Sequence, residues 1–127
     1  MSCSCSCKGS VGVALACSGA SNVGQLTNEA AKRLDAEKLS RFYCLAGPGG
    51  DIDAMVKTVK DSSPVLVIDG CPVACGKLIM ERSGVTDYQY VVVTDLGIEK
   101  NRNFDPPEAD IDRVVSECRA RIESSNE

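Results

Sequence analysis

The sequence predicts an α/β fold, a three-layer α/β/α sandwich around a four-stranded, mostly parallel sheet in the flavodoxin-like order 2-1-3-4. Three observations carry that expectation. Four short apolar or aromatic runs read as strands. Each is followed by a stretch whose apolar residues recur at helical spacing, and segments rich in Gly, Pro or Ser separate the two kinds of run. A β-α unit repeated four times needs helices on the faces of a parallel sheet, and right-handed crossovers leave few arrangements. The chosen order reverses between the first and third strands. Ligands bind outside the carboxyl ends of strands at such a reversal.

Residues 1–10 read as a Cys/Ser tail and residues 11–124 as a single α/β domain. Val11-Gly-Val-Ala-Leu-Ala16 is the first strand, running into a loop of small residues, Cys17 to Gly24. A helix from about Asn22 or Gly24 to Leu34 carries Val23, Leu26, Ala30 and Leu34 on one stripe, with Ser21 or Asn22 able to cap it. Arg41-Phe-Tyr-Cys-Leu45 is a shorter second strand. After the Gly47-Pro-Gly-Gly50 turn, Asp51 suits an N-cap for a helix to about Lys60, with Ile52, Met55, Val56 and Val59 inward. Pro64 to Ile68 is the third strand, and Asp69-Gly70-Cys71 ends it. Pro72 suits the first position of a helix reaching Ser83, with Gly84 as its stop. That placement sets Cys71 at or beside the N-cap and Cys75 one turn on, so both sulfurs face one spot. Tyr88 to Thr94 is the fourth strand, and a polar loop through Pro107 leads to a last helix striped with Ile111, Val114, Val115, Cys118 and Ile122.

Composition narrows the chemistry. The 127 residues are 43% apolar and 25% charged with a net charge of −4, an ordinary balance without the basic footprint of nucleic-acid binding. Histidine is absent, which removes Ser-His and Cys-His catalysis and every histidine-containing metal site. Eight cysteines among regular strands and helices argue for metal or redox use in a reducing, cytoplasmic setting rather than for a secreted disulfide framework. The apolar run before Cys17 is shorter than the roughly 7–15 residues of an export signal. No run approaches the ~20 apolar residues of a membrane span.

The cysteines are placed with a pattern. Cys17 ends the first strand, Cys44 the second and Cys71 the third, with Cys75 close behind, so four thiols gather at one edge of the sheet. Cys118 lies on the apolar stripe of the last helix and reads as an inert core thiol. Neighbouring strands are about 4.8 Å apart, whereas sulfurs around one zinc lie about 3.8 Å apart, so side chains and loops must lean inward to share an ion. Four thiolates on Zn²⁺ leave two negative charges in excess, which Lys77 and the helix N-terminus could offset in part. Ala16-Cys-Ser-Gly-Ala-Ser-Asn-Val-Gly-Gln-Leu26, Cys44, Ile68-Asp-Gly-Cys71 and Cys75 together resemble the DGC-domain family over about residues 11 to 122. The resemblance implies one zinc ion held by Cys17, Cys44, Cys71 and Cys75, and it leaves the biochemical role open.

Other readings compete. Cys17 after a first strand resembles the layout of low-molecular-weight tyrosine phosphatases, but the position six residues on, where an arginine would hold phosphate, is Val23. Cys71 and Cys75 could cycle between dithiol and disulfide, although their spacing is not the Cys-x-x-Cys of thioredoxin-like motifs. Four thiolates would equally satisfy an Fe–S cluster. Asp69 reads either as an acceptor for helix N–H groups or an acid–base group beside the metal, or as a plain turn aspartate. Gly70 marks a close backbone approach or a positive φ. Cys3, Cys5 and Cys7 alternate with serine and read as an auxiliary soft-metal site or as a mobile tail. The loop from Gly97 to Pro107 is a lid or a connector.

Overall fold

The computed structural model describes residues 11–125; the Cys/Ser tail of residues 1–10, with Cys3, Cys5 and Cys7, lies outside them. Four strands, β1 (Val13–Ala16), β2 (Arg41–Tyr43), β3 (Val65–Asp69) and β4 (Gln89–Val92), form one sheet in the order β2-β1-β3-β4. Every pairing is parallel, with Val13 opposite Arg41 and Val65, and Leu66 opposite Gln89. The expected class and strand order are therefore the observed ones.

The two inner strands explain why their sequences lack alternation. Ala14, Ala16, Leu66 and Ile68 face one core cluster, completed by Val23, Leu26, Ala30 and Leu34 of α1 (Asn22–Ala36) and by α5 (Glu108–Ser125). Val13, Leu15, Val65 and Val67 face the other cluster, with Val59 of α3 (Asp53–Lys60) and Met80 of α4 (Cys75–Ser83). A strand buried on both faces carries apolar residues at every position. Burying each Leu or Ile in these layers contributes about 1.5–3 kcal/mol. The α5 stripe is buried as its spacing requires, at Ile111, Val114, Val115, Cys118 and Ile122.

Several boundaries differ from expectation, each for a local reason. The second strand stops at Tyr43, because the chain turns at Leu45 into α2, a single turn over Ala46–Gly49. Asp51 does not cap the next helix. It adopts φ 61° and turns its carboxylate to Arg82 of α4 at 2.6 Å, while Ile52 takes the cap position and stands 50% exposed rather than inward. The fourth strand ends at Val92, where a 3₁₀ turn over Val93–Leu96 takes the chain off the sheet edge, although Val93 remains buried. Ser21, not Asn22, caps α1, its hydroxyl accepting the Gly24 N–H at 3.0 Å. Pro72 does not open α4: Cys71 to Val73 form a turn, Ala74 adopts the left-handed conformation at φ 62°, and the helix starts at Cys75. Cys71 and Cys75 are thus not one turn apart on a helix face. Gly84 does stop α4, at φ 80°. Among the described residues no helix is long and apolar enough to cross a membrane.

Candidate metal centre

The carboxyl edge of the sheet is built outward from Asp69. This last residue of β3 is 1% exposed, and its carboxylate accepts three hydrogen bonds. The backbone N–H groups of Gly76 and Lys77 reach it at 2.7 and 3.0 Å, and the Tyr90 hydroxyl donates to it at 2.7 Å. The first-turn N–H groups of α4, which have no partner within the helix, are therefore satisfied from the strand beside it. This explains why α4 starts at Cys75 and not at Pro72. A Cβ on Gly76 would stand 2.8 Å from the Asp69 carboxylate oxygen, so only glycine admits the contact. Burial, then the bond to Asp69, raises the Tyr90 phenol far above the ordinary tyrosine range and keeps it a donor.

Cys71 lies beyond Gly70 on the far side of this clamp. A Cβ on Gly70 would stand 2.8 Å from the Gly24 nitrogen, so the close-approach reading of Gly70 is the observed one: the strand end lies directly on the start of α1. Cys71 is half-buried and packs against the core cluster on the α1 and α5 side. Cys17 follows β1, its N–H donating to the Ile68 carbonyl at 3.0 Å. It packs against the opposite cluster, and its Sγ lies 3.8 Å from the Thr27 hydroxyl of α1. Cys44, just after β2, and Cys75, at the head of α4, are exposed. Ser18 and Ala74, neighbours of Cys17 and Cys75, hold left-handed backbones at φ 51° and 62°, a conformation costing a non-glycine residue about 1–2 kcal/mol. Strain of that kind gathers at functional sites.

The loop after the 3₁₀ turn is fastened over this edge by Asn22. Its side chain donates to the Glu99 carbonyl at 2.8 Å and accepts from the Asn101 N–H at 2.6 Å, and its own N–H donates to the Asn101 carbonyl at 3.0 Å. Between those anchors, the Lys100 ammonium lies 3.5 Å from the Cys71 sulfur. Lys77, expected to offset thiolate charge, instead places its ammonium 5.8 Å from the centre of the Tyr90 ring.

All four edge cysteines are free thiols with some solvent access, the donor chemistry a soft or borderline metal requires. As the side chains stand, no three Cys, Asp or Glu groups among the described residues are close enough to hold one ion. The edge therefore presents four suitable donors in an open arrangement. Cys118 is separate, buried in the α5 stripe with its thiol pushed up to about 12 by burial. The phosphatase comparison fails on geometry as well as on sequence. Val23 is core, and the N–H groups of Ser18, Ser21, Asn22 and Gly24 are bonded to Thr27, Gly19, Asn101 and Ser21, leaving them no role in cradling phosphate. A cavity of about 510 Å³ lies at the opposite edge of the sheet, beside Lys60, Ser63, Thr86 and Tyr88, with no cysteine in its lining.

Sequence reasoning placed the four cysteines and missed Tyr90, Lys100 and the anchoring role of Asn22. Tyr90 carried a usable signal, a polar-tipped aromatic inside an apolar strand, half-buried and in need of a hydrogen-bond partner. Lys100 carried none, because its approach to Cys71 depends on a loop path set by Asn22 from 77 to 79 positions away.

The family described as the DGC domain matches residues 13–118, which contain Cys17, Cys44, Cys71 and Cys75. The "Anaerobic and virulence modulator AnvM" of Pseudomonas aeruginosa is 37% identical over 102 residues, spanning 80% of this chain and 78% of that protein. No solved structure matches the chain.

Proposed function

We propose that this chain, which belongs to the DGC domain family, is a cytoplasmic metal-binding protein whose Cys17, Cys44, Cys71 and Cys75 hold one Zn²⁺. The observation that supports the reading is the position of four free thiols past the carboxyl ends of β1, β2 and β3, on the side of the reversal in strand order where α/β sheets hold ligands. Zinc bound there would supply a cross-link between strand ends, as a closed four-thiolate site does. The protein's part is to fix the donors. Asp69 locks the head of α4 and with it Cys75, and Gly70 seats Cys71 against α1. Binding asks the four side chains, the exposed Cys44 and Cys75 among them, to converge on one ion from the open arrangement they have here.

A second reading uses the same thiols for redox chemistry or an Fe–S cluster. The relative's description as an anaerobic modulator favours it, because thiolate centres respond to oxidants. One experiment separates the two. Protein purified without oxygen is analysed for zinc and iron, beside Cys71→Ser and Cys44→Ser. About one zinc per chain, lost in both variants, supports the zinc site. Iron with a visible chromophore moves the reading to Fe–S, and metal content unchanged in both variants removes the four-cysteine site altogether.

A further inference from the structure

We infer that Lys100 is the counter-charge of the thiolate centre and that Asn22 is the residue that positions it, an inference resting on the zinc reading above. A four-thiolate zinc site carries excess negative charge, and charged donors to a ligating sulfur lower that burden and hold the ligand in place. Only one ammonium is placed to do this among the described contacts, that of Lys100, 3.5 Å from the Cys71 sulfur. It makes no ion pair with any carboxylate among the described residues, so its charge is not committed elsewhere. Lys77, nearer in sequence, directs its ammonium to the Tyr90 ring.

Lys100 is an exposed residue on a loop, and an exposed lysine ordinarily samples many rotamers. Here the backbone on both sides of it is fixed. Asn22 is 5% exposed and bonds the Glu99 carbonyl, the Asn101 N–H and the Asn101 carbonyl, so Lys100 projects from a short span held at each end. Because Asn22 is also the first residue of α1, which carries the Thr27 contact to Cys17, one helix start fixes the surroundings of two of the four sulfurs. The loop that sequence alone left as lid or connector acts as a carrier for this charge.

The test titrates the full chain without oxygen. Cobalt binding is followed by its sulfur-to-cobalt charge-transfer band, and zinc affinity by competition with a chelator. Lys100→Gln is expected to weaken metal binding about tenfold at low salt, with the gap narrowing at high salt as screening replaces the missing charge. Lys100→Arg should restore affinity. Asn22→Ala should lose about as much as Lys100→Gln, and the double variant no more than either, because both act through one contact. Lys100 is exposed, so Lys100→Gln folds whatever Asn22→Ala does, and its affinity is the deciding measurement. Wild-type affinity in Lys100→Gln at low salt overturns the inference, as does an equal loss in Lys100→Arg. Wild type that takes up neither cobalt nor zinc overturns the zinc reading itself, and this inference with it.

Discussion

Replacing Asp69 by asparagine should unlock the head of α4 while leaving the cysteines in place. The carboxylate accepts from Gly76, Lys77 and Tyr90 at 2.7, 3.0 and 2.7 Å, and its residue is 1% exposed. Asparagine keeps one acceptor oxygen and puts an NH₂ donor where the second stood, facing N–H or O–H donors. At least one charge-assisted bond is lost and one buried donor is left opposed. Bonds to charged groups are worth about 1.5–3 kcal/mol each, and an unsatisfied buried group costs about 1–3 kcal/mol. The expected loss is therefore about 2.5–6 kcal/mol, a large share of the roughly 5–15 kcal/mol that holds a domain folded. Urea unfolding followed by circular dichroism reads the loss directly. Hydrogen exchange localises it, since the Gly76 and Lys77 amides should exchange much faster while those of β1 change only with global stability. Tyr90→Phe, which removes the third donor and leaves the two helix bonds, should cost less, about 1.5–3 kcal/mol. A change below about 0.5 kcal/mol in Asp69→Asn, with unchanged exchange at Gly76 and Lys77, would refute the clamp, because surface substitutions fall in that range.

Three further outcomes follow from the same structure. Stability should fall at alkaline pH. The Tyr90 and Tyr88 phenols are raised by burial, and the Cys118 thiol is pushed up to about 12 by burial. Groups raised in the folded state give stability that is complete below their unfolded pKa, about 8.5 for Cys and 10 for Tyr, and lost as pH climbs through the folded value. Urea midpoints measured from pH 8 to 11 should drop, and less steeply in Cys118→Ala. Among the five cysteines of the described residues, alkylation of metal-free protein, mapped by mass spectrometry, should label Cys44 and Cys75 first and Cys118 only on unfolding; early labelling of Cys118 would contradict its burial. Gly70→Ala should destabilise by about 1–3 kcal/mol, because its Cβ would stand 2.8 Å from the Gly24 nitrogen and 2.9 Å from the Val23 carbonyl carbon, backbone that cannot swing aside. Unfolding at the wild-type urea midpoint would show that α1 does not rest on this turn.

Apolar patterning made the layers legible. The uninterrupted runs at Val13–Ala16 and Val65–Asp69 are those of strands covered on both faces, and the α5 stripe follows from its own spacing. Legibility stopped where a polar group chose a distant partner. The proline rule placed the start of α4 at Pro72, yet Asp69 holds the Gly76 and Lys77 N–H groups and moves the start to Cys75. Asp51 suited a cap by type, but the ion pair with Arg82 across to α4 won it. The cysteine positions were readable because they are anchored to strand ends. Their charge partner was not, since Lys100 reaches Cys71 only through backbone bonds to Asn22.

The three residues of the Asp-Gly-Cys motif divide the work by direction. Asp69 closes β3 and faces the α4 side, where its two oxygens take up the helix start and the Tyr90 hydroxyl of β4. Gly70 meets α1 on the opposite side, at a distance only a residue without a side chain permits. The Gly70 carbonyl also accepts the Thr94 N–H at 3.2 Å, which ties the 3₁₀ turn to the same point. Cys71 comes next, held by two layers and the turn, and meets Lys100 on the loop that follows. A carboxylate longer than aspartate would push the head of α4 away, and any side chain at the second position would lift β3 off α1. The order of the three residues is thus a steric requirement of presenting one sulfur at a reversal in the sheet. Aspartate and glycine support the thiol's position, and only the cysteine is left free to react or bind.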